Sequence, residues 1–152
     1  MAKRTLMHVL IVSQDSALIT RVVSALPGHL TVTTATDPVA MRTLLTGDSD
    51  VVDVLIVDGD LQPRGGYAVL YDIREQGALG VTQSPPALML TERNQDQWLA
   101  RWAGANATET KPTDPFSVAR TVLMLNGAAP AAHGDKNATA AQLALAKDLT
   151  DV

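Results

Sequence analysis

The feature that most constrains the fold of this chain is a short apolar run that ends in an aspartate. Residues 54–58 read VLIVD, and Gly59 and Asp60 follow directly. A buried parallel strand that delivers a carboxylate at its carboxyl end is where open α/β sheets place their ligand chemistry. We therefore expect Asp58 to be either a phosphate acceptor or a metal ligand.

Composition narrows the class of protein. The chain has 152 residues, of which 46% are hydrophobic and 18% charged, as is typical of one globular domain with a sizeable core. A net charge of -4 argues against a DNA-binding role, and the lack of cysteine excludes disulfides and thiolate chemistry. The apolar run at residues 9–12 is too short for a signal segment, and no stretch could span a membrane, which predicts a cytoplasmic protein.

Strand-like and helix-like segments alternate along the chain. Apolar spacing predicts strands at 8–12, 30–34, 51–57, 87–90 and 107–110, and helices at 16–26, 38–47, 67–74, 94–103 and 115–126. An Asp-Pro pair opens two of the helices, at Asp37 and at Asp114. Five strand–helix units predict an α/β fold, a doubly wound five-stranded parallel sheet of order 2-1-3-4-5 with five helices.

The chain divides into a predicted domain, residues 1–127, and an alanine-rich tail, residues 128–152. Residues 128–135 read as a linker rich in Ala, Pro and Gly. For the residues after this linker, the favoured interpretation is a disordered tail. The alternative is a short docking helix, because Leu145, Leu149 and Val152 would share one face.

Polar residues follow four of the predicted strands. Asp58 ends the third strand, Thr91 the fourth and Lys111 the fifth, while Ser13 follows the first. Carboxyl ends of parallel strands meet at one edge of the sheet, so these side chains should line one crevice. An aspartate, a hydroxyl and a lysine suit an acyl-phosphate site, because the carboxylate attacks phosphorus while the others bind phosphoryl oxygens.

Three motifs make a resemblance specific. Asp58 with Gly66, the run 89–91 (MLT) and the run 110–112 (TKP) resemble the fixed sites of the response regulator receiver domain, a CheY-like fold. The spacing agrees from Val9 to about Gly127.

The resemblance implies a role for each of these residues and a set of partners. Asp58 would be the phosphoacceptor, Thr91 the switch hydroxyl and Lys111 the phosphate-sensing lysine. The phosphoryl group would come from a histidine kinase or a small acyl-phosphate donor. A downstream protein, or a second copy in a homodimer, would bind the surface of the fourth helix, fifth strand and fifth helix. By the same resemblance, chemistry is limited to transfer to Asp58 and hydrolysis from it, so we expect no other enzyme activity.

Several positions depart from the pattern of that family. Ser13 and Gln14 stand where two adjacent acids usually hold Mg²⁺, and Thr108 stands where an aromatic residue usually moves with the switch hydroxyl. Neutral oxygens are poorer ligands for a hard dication. We therefore expect a weak Mg²⁺ site formed by Asp58, Asp15 and the backbone carbonyl of Asp60.

Some of these residues have simpler structural interpretations. Asp15 is a better candidate for the N-cap of the first helix than for a metal ligand. Asp58 could cap a turn, and Thr91 could cap the fourth helix. The side chain of Asp60 is expected to be solvated. Trp102 is equally compatible with a core position and with an exposed partner surface.

Three functions remain open at this point. The first is a stand-alone receiver domain that signals through protein contacts after phosphorylation of Asp58. The second keeps the fold as a phosphorylation-independent adaptor. The third is a phosphatase, because residues 54–60 also resemble the first motif of haloacid-dehalogenase-type enzymes. The position of the motif on the third strand, the sequence Leu61-Gln62 after it and the lack of an acidic pair after the fourth strand count against that enzyme.

Overall fold

The computed structural model of the protein describes residues 6–46 and 50–134. Strands and helices alternate through these residues. The strands are β1 (His8–Val12), β2 (Thr31–Ala35), β3 (Val54–Asp58), β4 (Ala87–Thr91) and β5 (Ala107–Thr110). The helices are α1 (Ser16–Ala25), α2 (Pro38–Leu45), α3 (Gly66–Ala78), α4 (Gln97–Ala103) and α5 (Pro115–Leu125), and a 3-10 turn at Asn94–Asp96 precedes α4.

The five described strands form one parallel sheet in the order β2-β1-β3-β4-β5, which confirms the predicted topology. The register aligns Val12 with Val57 across β1 and β3. It also aligns Asp58 with Leu90 and Thr91 with Thr110. The carboxyl ends of four strands therefore lie at the same edge, where the candidate site was expected.

Helices cover both faces of the sheet. Helices α2, α3 and α4 pack on one face, against side chains such as Leu10, Leu55 and Met89. Helices α1 and α5 pack on the other face, against Ile11 and Ile56. Because the central strands are buried on both faces, they are continuous apolar runs rather than alternating ones. Burial of each such side chain stabilises the fold by about 1.5–3 kcal/mol.

Aspartates cap three of the helices, as the sequence predicted. The Asp37 carboxylate accepts a 2.7 Å hydrogen bond from the N–H of Ala40, and Asp114 accepts one from Phe116 at 3.0 Å. A proline follows each of these aspartates in the first turn. Asp15 caps α1 by accepting from the N–H of Leu18.

Helix α3 is longer than predicted. Apolar spacing predicts a helix over residues 67–74, whereas the helix continues to Ala78. The last turn packs tightly against the segment that follows it, because a Cβ on Gly77 would lie only 2.5 Å from the Cβ of Ser84. Gly77 thus allows the next segment to approach the last turn closely.

The chain after α5 stays in contact with the domain as far as it is described. The N–H of Gly134 donates a 2.8 Å hydrogen bond to the carbonyl of Trp102. The domain boundary proposed at residue 127 remains a prediction. The two interpretations of the alanine-rich tail concern residues that lie outside the described ones.

Candidate functional site

The crevice at the carboxyl edge of the sheet contains the aspartate, hydroxyl and lysine that the sequence placed there. Asp58 ends β3 and is only 4% exposed, Thr91 ends β4 and is fully buried, and Lys111 follows β5. Ser13 follows β1 and is also buried. The structure thus brings the ends of β1, β3 and β5 together around the carboxylate of Asp58.

Both carboxylate oxygens of Asp58 have hydrogen-bond donors. Oδ1 accepts from the ammonium of Lys111 at 2.5 Å and from the N–H of Asp60 at 3.0 Å. Oδ2 accepts from the hydroxyl of Ser13 at 2.7 Å. The bond from Asp60 closes a turn two residues on, so Asp58 also has the turn-capping role that was considered for it.

Lys111 lies among three carboxylates. Its Nζ is 2.5 Å from Asp58, 3.3 Å from Asp60 and 3.6 Å from Glu92. Partial burial acts to lower the pKa of Lys111, but the hydrogen bond and charge of Asp58, with the charge of Asp60, outweigh it and raise the pKa. The lysine is therefore a permanent cation beside Asp58 at neutral pH.

Asp60 and Glu92 interact with one another as well as with the lysine. Burial acts to raise the pKa of Asp60, but its hydrogen bond to Glu92 and the charge of Lys111 hold that pKa below its ordinary value. The hydrogen bond and the charge of Asp60 raise the pKa of Glu92. The Asp60 side chain is exposed, as expected, and it is also part of the charge cluster, a role that the sequence did not reveal.

Gln14, the second of the two neutral residues after β1, makes contacts that join two loops. The N–H of Gln62 donates to Oε1 of Gln14 at 2.8 Å, and Nε2 of Gln14 donates to the carbonyl of Gln62 at 3.1 Å. These reciprocal bonds attach the loop after β3 to the end of β1. This pairing was missed at the sequence level, because Gln14 was interpreted only as a departure from the family pattern.

Thr91 lies near the acceptor without contacting it in the described hydrogen bonds. Its hydroxyl donates to the hydroxyl of Thr110 at 3.4 Å, and that hydroxyl donates to Asn94 at 2.8 Å. The suggestion that Thr91 caps the fourth helix is wrong, because Arg93 and Asp96 occupy the cap positions before the 3-10 turn and α4.

Comparison with known proteins decides the family. The chain is 36% identical over 100 residues to an uncharacterized response regulatory protein of Mycobacterium tuberculosis, known in two strains, and the match covers 66% of this chain and 70% of the relative. The chain belongs to the response regulator receiver family. No family model matches this receiver domain.

Solved structures agree with that assignment. The receiver domain of a two-component response regulator from Bacteroides fragilis is 25% identical, with a TM-score of 0.67, over 82% of this chain and all of that one. The chemotaxis response regulator CheY4 of Vibrio cholerae is 23% identical, with a TM-score of 0.66, over 80% of this chain and 99% of that one. The second likeness concerns the fold alone.

Receiver domains generally bind Mg²⁺, and the donor set of this one can be tested against that ion. Asp15 uses its carboxylate as a helix cap, and the carbonyl of Asp60 accepts from Nε2 of Gln62. Within the described ranges no group of three His, Asp or Glu side chains is arranged to hold a metal. As arranged, these residues do not fit a hard dication that prefers several anionic oxygens.

Gly66 and Tyr67, at the start of α3, lie close to the backbone of Asp58 and Gly59. A Cβ on Gly66 would lie 2.2 Å from the carbonyl oxygen of Asp58, so only glycine allows α3 to begin here. The ring of Tyr67 packs over Gly59, and burial raises the pKa of its hydroxyl.

Among the described helices, none is long and apolar enough to cross a membrane.

Proposed function

We propose that this receiver domain accepts a phosphoryl group on Asp58, slowly, and signals through contacts with other proteins. Receiver domains are signalling proteins that interact with histidine kinases and downstream proteins. The observation that carries the proposal is the ammonium of Lys111 at 2.5 Å from Oδ1 of Asp58. A buried carboxylate beside a fixed cation can receive an anionic group whose added charge the cation neutralises.

The chemistry uses the side chains at the crevice. An oxygen of the Asp58 carboxylate attacks the phosphorus of a phosphohistidine or a small acyl phosphate. A bond from phosphorus to the new oxygen forms while the bond to the leaving histidine nitrogen or carboxylate oxygen breaks. Water later attacks the same phosphorus, and the products are inorganic phosphate and the free carboxylate of Asp58.

The charge around Asp58 supports a slow reaction. Asp60 and Glu92 lie beside Lys111, so one ammonium faces three carboxylates before any phosphoryl group arrives. Ser13 contributes a neutral donor where the family has an acid that would hold Mg²⁺. With Asp15 engaged as a helix cap, any binding of Mg²⁺ by Asp58, Asp15 and the carbonyl of Asp60 is weak, and we route no step through it.

The output surface that we propose is formed by α4, β5 and α5. Helix α5 exposes Phe116, Leu123 and Met124, with 68%, 46% and 81% of their surfaces accessible. Exposed large apolar side chains on one helix are typical of protein-binding surfaces. A downstream protein or a second copy of the chain would bury them, whereas the composition gives no basic surface for DNA.

A second candidate function is a phosphorylation-independent adaptor. One observation favours it, which is that Ser13, Lys111 and the N–H of Asp60 already occupy both oxygens of Asp58. A carboxylate with this set of donors is stable without phosphate. In the described residues no observation favours the phosphatase alternative.

Intact-mass measurement after incubation with acetyl phosphate tests the proposal. The parent protein should gain a single phosphoryl group, and Asp58→Asn should gain none. If an adduct forms equally on Asp58→Asn, the acceptor is another residue. If neither acetyl phosphate nor a histidine kinase produces an adduct on the parent, the adaptor is the better account.

A further inference from the structure

The chain after α5 does not leave the domain but lies along its α4 side. Nδ2 of Asn106 donates to the carbonyl of Ala129 at 2.8 Å, and the N–H of Ala131 donates to Oδ1 of Asn106 at 3.2 Å. The N–H of Gly134 then donates to the carbonyl of Trp102. The described part of the chain therefore runs from the end of α5, across α4, toward α3.

An aromatic cluster holds the end of this segment. The rings of Tyr71 and Trp102 stack with centroids 4.6 Å apart, and the ring of His133 meets Tyr71 edge-on at 5.1 Å. Nε2 of His133 is 3.3 Å from the carboxylate of Glu75. A Cβ on Gly134 would lie 3.3 Å from the Tyr71 hydroxyl, so the described chain ends against α3.

A groove begins at the point where the described chain ends. Tyr71, Glu75 and Trp102 line a cavity of about 300 Å³ that also includes Arg64 and Ala68. Arg64 and Ala68, with Asp72, continue into a second cavity of about 460 Å³. The lining of that second cavity is completed by Pro38, Val39, Arg42, Pro63, Val69 and Ile73. We call the two together the α2–α3 groove.

The lining of the α2–α3 groove combines exposed apolar surface with two cations and with two carboxylates that each have a basic partner, Asp72 with Arg42 and Glu75 with His133. Val39 leaves 76% of its surface exposed, although it lies on the first turn of α2 beside Pro38. Arg42 lines the second cavity, where it pairs with Asp72 at 3.6 Å, and Arg64 lines both cavities. An amphipathic segment with acidic residues toward its far end would match the apolar lining and bring its carboxylates to the arginines.

The sequence that follows Gly134 has this pattern. In residues 135–152, Leu145, Leu149 and Val152 recur at helical spacing, and Asp148 and Asp151 come near the end. At 1.5 Å per residue, a helix of this length would extend about 27 Å. Neighbouring helices pack about 8–10 Å apart, so such a segment could cross from α4 over α3 to α2.

We propose that residues 135–152 bind in the α2–α3 groove of the same chain. The apolar face formed by Leu145, Leu149 and Val152 covers Val39 and Ala68, and the acidic end reaches Arg42 and Arg64. The contacts of residues 128–134 with α3 and α4 deliver the segment to the groove at a high effective concentration. This proposal does not depend on phosphorylation of Asp58.

A spin label on the tail of the full chain tests the proposal. The chain has no cysteine, so Thr150→Cys gives one labelling site outside the predicted apolar face. In amide NMR spectra, the label should cause loss of signal at Val39, Ala68 and Asp72. Signals of Ala17 and Val23, on the opposite layer, should be unchanged.

Two pairs of substitutions provide matched controls. Leu145→Asp with Leu149→Asp should restore the lost signals, whereas Ala140→Asp with Ala144→Asp adds the same charge on the other face and should leave the loss in place. In the groove, Ala68→Glu should release the tail, and Ala17→Glu should not. The spectrum of each variant reports directly whether the domain is folded.

A mixing experiment shows whether the tail that occupies the groove belongs to the same chain or to a second copy. Spin-labelled protein without ¹⁵N is mixed with ¹⁵N protein without a label, and the proposal predicts no loss of signal in the mixture. Loss that appears in the mixture would mean that the tail of a second copy occupies the groove, which overturns the proposal. No loss at Val39 and Ala68 in the labelled chain itself would overturn it as well.

Discussion

The hydroxyl of Ser13 donates a 2.7 Å hydrogen bond to Oδ2 of Asp58, so a neutral donor binds the acceptor on the side opposite Lys111. Both side chains are buried, so the bond has little competition from water. We expect Ser13→Ala to lower the free energy of unfolding by about 1–3 kcal/mol, because a buried carboxylate oxygen loses its donor. Urea unfolding measures the change. Ser24→Ala is the matched control, because the Ser24 hydroxyl bonds to a backbone carbonyl on an exposed helix surface. An equal loss in both variants would contradict this expectation.

The ion pair of Lys111 with Asp58 should make stability depend on pH in the alkaline range. The pKa of Lys111 in the folded protein is raised above its ordinary value of 10.5. A base whose pKa is higher in the folded protein than in the unfolded protein stabilises the fold fully at pH values below its unfolded pKa. This contribution is lost as the pH rises through its folded pKa. The free energy of unfolding of the parent should therefore fall more steeply above pH 10.5 than that of Lys111→Met.

A double-mutant cycle checks the same pair at neutral pH. Lys111→Met alone should destabilise by about 1–3 kcal/mol, because Asp58 is left buried without its cation. The cost of Lys111→Met should shrink in the background of Asp58→Asn, since no carboxylate remains to be compensated. Equal costs in the two backgrounds would mean that the pair does not contribute to stability.

Gly66 should tolerate no side chain. In Gly66→Ala the new Cβ would meet the carbonyl oxygen of Asp58 at 2.2 Å, and either β3 or the start of α3 would have to move. We expect a loss of about 1–3 kcal/mol in urea unfolding. Gly28→Ala is the control, because its Cβ would meet nothing within 4 Å. A comparable loss in Gly28→Ala would show that the effect is not steric.

Arg74 should contribute more to stability than any exposed arginine. It is 3% exposed, its Nη1 donates to the carbonyl of Pro85, and its Nε and Nη2 donate to that of Gly104. Burial lowers its pKa to about 10. Arg74→Met should lower the free energy of unfolding by about 2–5 kcal/mol, because these carbonyls lose their donors.

The control for Arg74 is an arginine with an exposed ion pair. Arg42 lies 3.6 Å from Asp72, and both side chains are about half exposed. Arg42→Met should therefore change the free energy of unfolding by less than about 1 kcal/mol. A larger effect at Arg42 than at Arg74 in the same denaturation series would contradict the greater contribution to stability that we assign to the buried Arg74.

The sequence predicted the sheet and the main site residues because these features are local. The apolar run before Asp58 and the Asp-Pro pairs at the starts of α2 and α5 each act within a few residues. Strand order followed from the short right-handed connections. Lys111 and Asp58 could be placed together because both lie at the ends of parallel strands.

Contacts between distant residues could not be predicted in the same way. The reciprocal bonds of Gln14 and Gln62 join residues 48 positions apart, and neither side chain has a distinctive spacing. The contact of Asp60 with Lys111 was not predicted, because it depends on how two loops fold together. The contact of residues 128–134 with Tyr71 and Trp102 depends on a packed surface that exists only after folding.

The most direct test of slow phosphorylation at Asp58 is the rate at which it gains a phosphoryl group from acetyl phosphate, measured by intact mass with and without Mg²⁺. We expect a slow single adduct on the parent with little dependence on Mg²⁺. We also expect a faster, Mg²⁺-dependent adduct on the double variant Ser13→Asp, Gln14→Asp, and none on Asp58→Asn. An adduct on the double variant with none on the parent would contradict the proposed function, because the neutral pair would then abolish phosphoryl transfer to Asp58.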